Sequence, residues 1–160
     1  ATHLKTAGSC TLNRLPGSPM TALDTFNAYF DAFEATYADD NWDRVARCFA
    51  PDMVYLNTDG TLEGRTAAVD YLKADVTAFD RRFDSRAFDG TPDITAHGHE
   101  VTMNFTVRYA KEGAPDLVIS GQEVATIRDG LIQRMEDRFD DSSLEALERW
   151  TEEYGAFLAE

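Results

Sequence analysis

Basic side chains are scarce in this sequence. Its 160 residues hold 15 Lys and Arg against 29 Asp and Glu, which gives a formal net charge of -14 at pH 7 and a pI near 4.5. Neutralising phosphate takes clustered Lys and Arg, so no nucleic acid and no anionic membrane is expected as a partner. Cysteine is scarcer still. Cys10 and Cys48 are too few for a disulfide framework and lack the short paired spacing of a zinc site. A reduced, cytoplasmic setting is the expectation. No apolar run reaches the roughly 20 residues of a membrane-spanning helix. The opening ATHLKTAGSCTLNRLPGSPM also lacks the apolar centre of a secretion signal. Residues 1–19 therefore read as a disordered leader or an extension ahead of a natural start at Met20.

What is present fits one domain. Hydrophobic residues at 43% suffice for a real core, while the length is too short for two comfortable ones. In TALDTFNAYFDAFEATYADDN, Thr21 can cap a helix whose stripe is Leu23, Phe26, Phe30, Phe33 and Tyr37. NWDRVARCFAPD repeats the pattern with Trp42, Val45 and Phe49 until Pro51 stops it, and MVYLNTDG follows as a short strand ending in a turn. GRTAAVDYLKADVTAFD is a third helix, with Val69, Leu72, Val76 and Phe79 inward. Beyond Arg81 the period changes to two. RFDSRAF, PDITAH, EVTMNFTVRYA, PDLVISGQEVATI and LIQRMEDRFD are successive strands parted by Gly, Pro or Asp turns. Helices followed by a meander spell α+β. The tail SSLEALERWTEEYGAFLAE, residues 142–160, is a last helix with Ser142 and Glu145 as a capping box, packed on its own domain or exchanged across a dimer.

Two carboxylates stand on the wrong face. Alternation along LIQRMEDRFD puts Asp137 between Met135 and Phe139, opposite the charged set Arg134, Glu136 and Arg138. On the strand before it, Glu123 shares parity with Leu117, Ile119, Ala125 and Ile127, and Met103, Phe105, Val107 and Tyr109 keep the same parity one strand earlier. A bulged turn at IRDGL would pair Ile127 with Leu131 and make the two acids diagonal neighbours. A two-residue turn would set Glu123 against Glu136, a costly like-charge pair, so the bulged turn is expected. Glu123 and Asp137 are the only carboxylates on these inner stripes. Burial raises the pKa of such groups, and paired carboxyls with divided pKa values are what acid–base work on a carbonyl or enol requires. The bland alternative is that pocket tyrosines such as Tyr29 or Tyr55, or an arginine, hold the acids for structure alone.

The order of elements resembles a known superfamily. NWDRVARCFAPDMVYLNTDGTLEGRTAAVDYL and IRDGLIQRMEDRFD look like the helix–strand–helix entrance and closing hairpin of the nuclear transport factor two-like superfamily, of SnoaL-like polyketide cyclase type. The resemblance covers most of residues 21–140 and implies a cone-shaped fold: a curved mixed sheet around a pocket, three helices before it, one after it, commonly in a dimer. It is specific for fold and weak for function, because one cavity serves many chemistries. Against the ketosteroid isomerases of that superfamily, Asn57 stands where the base aspartate belongs and Phe33 where the oxyanion tyrosine belongs, while Glu123 matches the second oxyanion acid. Against its epoxide hydrolases Asp137 matches, but Asn104 and Thr106 replace the Arg-x-Asp. What remains is the generic SnoaL-like pattern, with Asp137 and Glu123 as candidate catalytic acids. Tyr29, Phe33, Tyr55, Asn57, Met103, Phe105, Tyr109, Met135 and Phe139 are candidates for the ligand-binding wall.

Other signals are weaker. His97 and His99 have ligand spacing without a third ligand nearby, so no metal is expected, nor any cofactor. Cys48 beside Phe49 reads as core. The outward residues Thr102, Asn104, Thr106, Ser120, Gln122, Val124 and Thr126 include no lysine and suit a homodimer interface. Two classes of function stand: a cofactor-free cyclase, isomerase or dehydratase acting on a small apolar, carbonyl-bearing molecule, or a non-catalytic binding or accessory protein using the same cavity.

Overall fold

A computed structural model describes residues 20–159; the expectations for residues 1–19 lie outside the described residues. Helix α1 (Ala22–Asp39) starts at Thr21, whose hydroxyl accepts from Asp24 N at 3.1 Å while the Asp24 carboxylate accepts from Thr21 N at 2.9 Å. It buries Phe26, Tyr29, Ala32 and Thr36. Helix α2 (Asp43–Ala46) is one turn and ends before Phe49 instead of running on to Pro51. Strand β1 (Phe49–Asn57) takes over and includes the proline. Pro51 is tolerated because it falls where the pairing of β1 is interrupted, between Phe49↔Ile132 and Val54↔Arg134, so its missing N–H breaks no ladder bond. Cys48 is fully buried as expected of a core residue, but it is disulfide-bonded, which corrects the reading of a reduced thiol.

A short strand unmarked in the sequence, β2 (Gly60–Glu63), folds back on β1 before α3 (Arg65–Ala78) packs Ala68, Leu72 and Val76 inward. A 3-10 turn at Asp80–Arg82 leads into β3 (Ser85–Phe88), β4 (Asp93–His97), β5 (Glu100–Ala110), β6 (Leu117–Arg128) and β7 (Leu131–Phe139). The sheet order is β2-β1-β7-β6-β5-β3, with β4 also on β5. Every pair is antiparallel except β1 with β7. The fold is α+β with a mixed sheet. No helix among the described residues is long and apolar enough to cross a membrane.

The β6–β7 hairpin differs from expectation in a way that matters for the site. Arg128 pairs with Leu131 across a two-residue turn in which Asp129 and Gly130 both have positive φ, 54° and 71°, the primed geometry that matches strand twist. The bulge lies in β7 instead, at Gln133, between the pairs Ile127↔Ile132 and Thr126↔Arg134. The extra residue shifts all later pairs, so Glu123 faces Asp137 directly and meets neither Met135 nor Glu136. A like-charge pair was a reason to reject the primed turn; the structure tolerates two facing acids by the proton they share, described below.

Gly121 sets the curvature. Its cross-strand neighbours are Phe105 on β5 and Phe139 on β7, whose rings lie 6.1 Å apart. A Cβ there would sit 2.5 Å from the Arg138 carbonyl oxygen and 3.1 Å from the Phe105 ring. The sheet divides at this row into two apolar clusters. One gathers Phe26, Phe49, Met53, Ile132 and Met135 under α1 and α3; the other gathers Phe83, Val107, Leu117, Ile119 and Trp150 under α4 (Asp141–Tyr154). Helix α4 packs on its own chain. It begins at Asp140 without a side-chain cap, two residues ahead of the expected start, so Ser142 lies inside the first turn and its capping box with Glu145 is not formed, while Ser143 turns to the sheet and accepts from Ser120 N at 2.8 Å. A 3-10 segment, Gly155–Ala159, replaces its last turns.

Candidate active site

The inner stripes of β5, β6 and β7 and the facing sides of α1 and α3 leave a cavity of about 130 Å³. A second hollow of about 200 Å³ adjoins it, sharing Tyr55, Asp75, Asp80, Tyr109, Asp137 and Phe139, and is bounded by Ser143, Leu144 and Leu147 of α4. Tyr29, Phe33, Tyr55, Met103, Phe105, Tyr109 and Phe139 all border the first cavity, as do Glu123 and Asp137. Asn57 borders only the second, with its Nδ2 buried and lacking a partner. Met135 lies fully buried in the core and forms none of the wall.

Glu123 and Asp137 are held differently. Tyr55, brought alongside by the parallel pairing of β1 with β7, donates its hydroxyl to Asp137 Oδ2. Asp137 Oδ1 is buried with no donor but the Glu123 carboxyl, which supplies one only when protonated. Glu123 is 9% exposed and has no fixed donor among the described residues. Burial raises both acids above the ordinary range, and the Asp137 charge raises Glu123 further. In Asp137 the hydrogen bonds from Glu123 and Tyr55 work against that rise. The pair therefore holds a proton that resides mainly on Glu123 and is shared with Asp137. Burial, then the Asp137 charge, pushes the Tyr55 hydroxyl far up, so Tyr55 stays a donor; Tyr29, buried beside both acids, is raised in the same direction.

At the cavity's other end sits a group that the sequence reading missed. Asp80 is buried, accepts from Tyr109 Oη at 3.3 Å and lies 3.3 Å from Arg86 Nε. Burial lifts its carboxyl to about 6, partly offset by Arg86. Arg86 also donates from Nη1 to both oxygens of Glu34, at 3.2 and 3.3 Å. The signal was available: Arg86 precedes Phe88 by two on the inner parity of β3, and Asp80 follows the helical stripe position Phe79. His97 and His99 flank the β4–β5 turn, exposed and far in sequence from these acids.

Comparison with known proteins agrees with this architecture. The family model for the SnoaL-like domain matches residues 26–135. The chain belongs to the SnoaL-like family. No curated protein matches it in sequence. Among solved structures it is similar to TerC co-crystallised with polyporic acid, at 19% identity over 80% of this chain and 98% of that one, with a TM-score of 0.60. An NTF2-like protein from Burkholderia xenovorans gives 16% over 84% and 99% with a TM-score of 0.62. An epoxide hydrolase of M. tuberculosis described as LEH-like gives 21% over 82% and 94% with a TM-score of 0.57. Identities this low carry the fold alone, so what a SnoaL-like chain does with its cavity must come from its own side chains.

Proposed function

We propose that this SnoaL-like chain is a cofactor-independent acid–base enzyme of the cyclase, isomerase or dehydratase kind, acting on a small, mostly apolar, carbonyl-bearing molecule. The supporting observation is that two facing carboxyls border the cavity while only one, Asp137, has a fixed protein donor. A pair neutralised for structure alone would give each acid its own donor. In the proposed step the Asp137 carboxylate takes a proton from the carbon next to the substrate carbonyl, and Glu123 gives its proton to the carbonyl oxygen. The C=O becomes an enol, and the dyad again holds one proton, now on Asp137. Tyr55 holds the Asp137 carboxyl in position throughout, while the charge passes from Asp137 to Glu123.

Two structural neighbours are in keeping with a small-molecule cavity: TerC was co-crystallised with polyporic acid, and another is an LEH-like epoxide hydrolase. A non-catalytic binding role is the second reading. It draws on Phe33, which is packed edge-on to Trp42 as wall, and on Asn57, which is bonded to the Asp59 N–H at 2.8 Å. Homodimerisation through the outer face of β5 and β6 is proposed with either, and the molar mass in solution tests it.

Deuterium exchange next to the carbonyl of a panel of small cyclic ketones, read by mass spectrometry, separates the two readings. Exchange should be catalysed by the wild type and fall about 100-fold or more in both Glu123→Gln and Asp137→Asn. Ketone binding without exchange would leave only the binding role.

A further inference from the structure

The charged groups of the cavity wall are one-sided. Glu34, Asp75, Asp80, Glu123 and Asp137 border it, and Arg86 is the only Lys or Arg among the described lining residues. Arg86 is already paired with two of these acids, although its Nε is buried without a hydrogen-bond acceptor. Beyond its bonds to Glu34 and its contact with Asp80, its guanidinium lies over the rings of Tyr37, Phe88 and Phe33, at 5.2, 5.4 and 5.9 Å. A carboxylate or phosphate entering here would meet five acids and a single arginine whose charge is already matched by Glu34 and Asp80.

Acceptors, by contrast, are in surplus. Asp137 Oδ1 is buried without a fixed donor, and Glu123, nine-tenths buried, has only the proton it shares with Asp137. Tyr29, Phe30, Phe105 and Phe139 line the same space with rings, whose faces attract cations.

We infer that the molecule this cavity takes carries a protonated amine on a small aromatic or apolar body, seated with its ammonium at Glu123 and Asp137. The inference rests on the reading of the cavity as a small-molecule site in its binding role: an ammonium that ionises both carboxyls removes the Glu123 proton the enolisation step uses, so the two occupants exclude one another at the dyad. Its consequence is linked proton release. A positive charge beside the dyad favours ionisation of both carboxyls, so the ammonium enters and the Glu123 proton leaves to solvent. Burial also raises Asp75 and Asp80 in the same cavity, and the Glu123→Gln variant separates their titration from that of the dyad. Tyr29 faces it from α1, Tyr55 from β1, Tyr71 and Asp75 from α3, and Glu34, Asp80, Arg86 and Tyr109 stand at the far end, with no histidine among the described lining residues.

Three matched probes test this by titration calorimetry at pH 7: benzylamine, benzyl alcohol and benzoate, each in two buffers of different ionisation enthalpy. Benzylamine should bind at least about tenfold more tightly than benzoate, a difference of roughly 1.4 kcal/mol, and release a fraction of a proton up to one. Glu123→Gln should abolish the release and weaken the amine by about tenfold, with benzyl alcohol changed by less than about twofold. Amide NMR spectra of the variant confirm that it is folded, and Asp137→Asn provides a second variant with the same expected loss. Benzoate binding as tight as the amine, proton uptake in place of release, indifference to both variants, or no amine binding at millimolar concentration would each overturn the inference. Failure here leaves ketone exchange, the test of the proposed function, free to succeed.

Discussion

At the scale of single residues, the site is organised by what each side chain lacks. Asp137 lacks a second fixed donor and Glu123 lacks any, so the pair is satisfied only by sharing a proton. Gly121 lacks a Cβ, and that absence lets Phe105 and Phe139 meet over it and keeps the sheet curved around the cavity. Gly121→Ala would drive a methyl toward the Arg138 carbonyl, a backbone atom that cannot swing aside as a flexible side chain would. Its expected cost is about 1–3 kcal/mol by denaturant unfolding, with weakened ligand binding alongside; a neutral outcome would show that the sheet can flatten there. The two acids could be found from the sequence because they interrupt apolar stripes of period two. Asp80 and Arg86 were overlooked for the opposite reason: in DRRFDSRAF, charges of both signs are so dense that no single one stands out as inward.

Among the elements, α1, α3 and the five strands of the meander could be read from periodicity and capping because each has its own apolar face. Where local rules failed, a tertiary partner had decided. Pro51 looked like a helix stop but falls in an unpaired gap of β1, visible only once the pairing with β7 is known. The hairpin register depended on a bulge at Gln133 that nothing in LIQRMEDRFD announces. Helix α4 closes the second hollow through Leu144 and Leu147 and anchors itself by Trp150, whose indole N–H donates to Pro115 O at 2.8 Å among Phe83 and Tyr154. Trp150→Ala should cost about 3–5 kcal/mol of unfolding free energy. A loss below about 1 kcal/mol would mean that α4 is not part of the cooperative unit.

For the whole molecule, burying several carboxyls makes stability depend on pH with a definite sign. Glu123, Asp137 and Asp80 hold protons more tightly folded than unfolded, so the folded state carries more protons between the ordinary carboxylate range and the raised values. Stability therefore falls as pH rises through that window; for Asp80, lifted from 3.8 to about 6, the window is roughly pH 4 to 6 and the loss about 3 kcal/mol. Glu123→Gln replaces a titrating donor with a permanent one, so it should match the wild type near pH 4 and exceed it at pH 8 in urea unfolding. Lower stability at pH 8 would mean that the Glu123 carboxylate is solvated or paired. The shared proton itself is open to direct observation by carboxyl carbon-13 NMR titration of Glu123 and Asp137. The expected result is two coupled transitions, with one proton retained on the pair well above the ordinary carboxylate range and resident mainly on Glu123. Independent titration of both carboxyls near pH 4 would contradict the site described here.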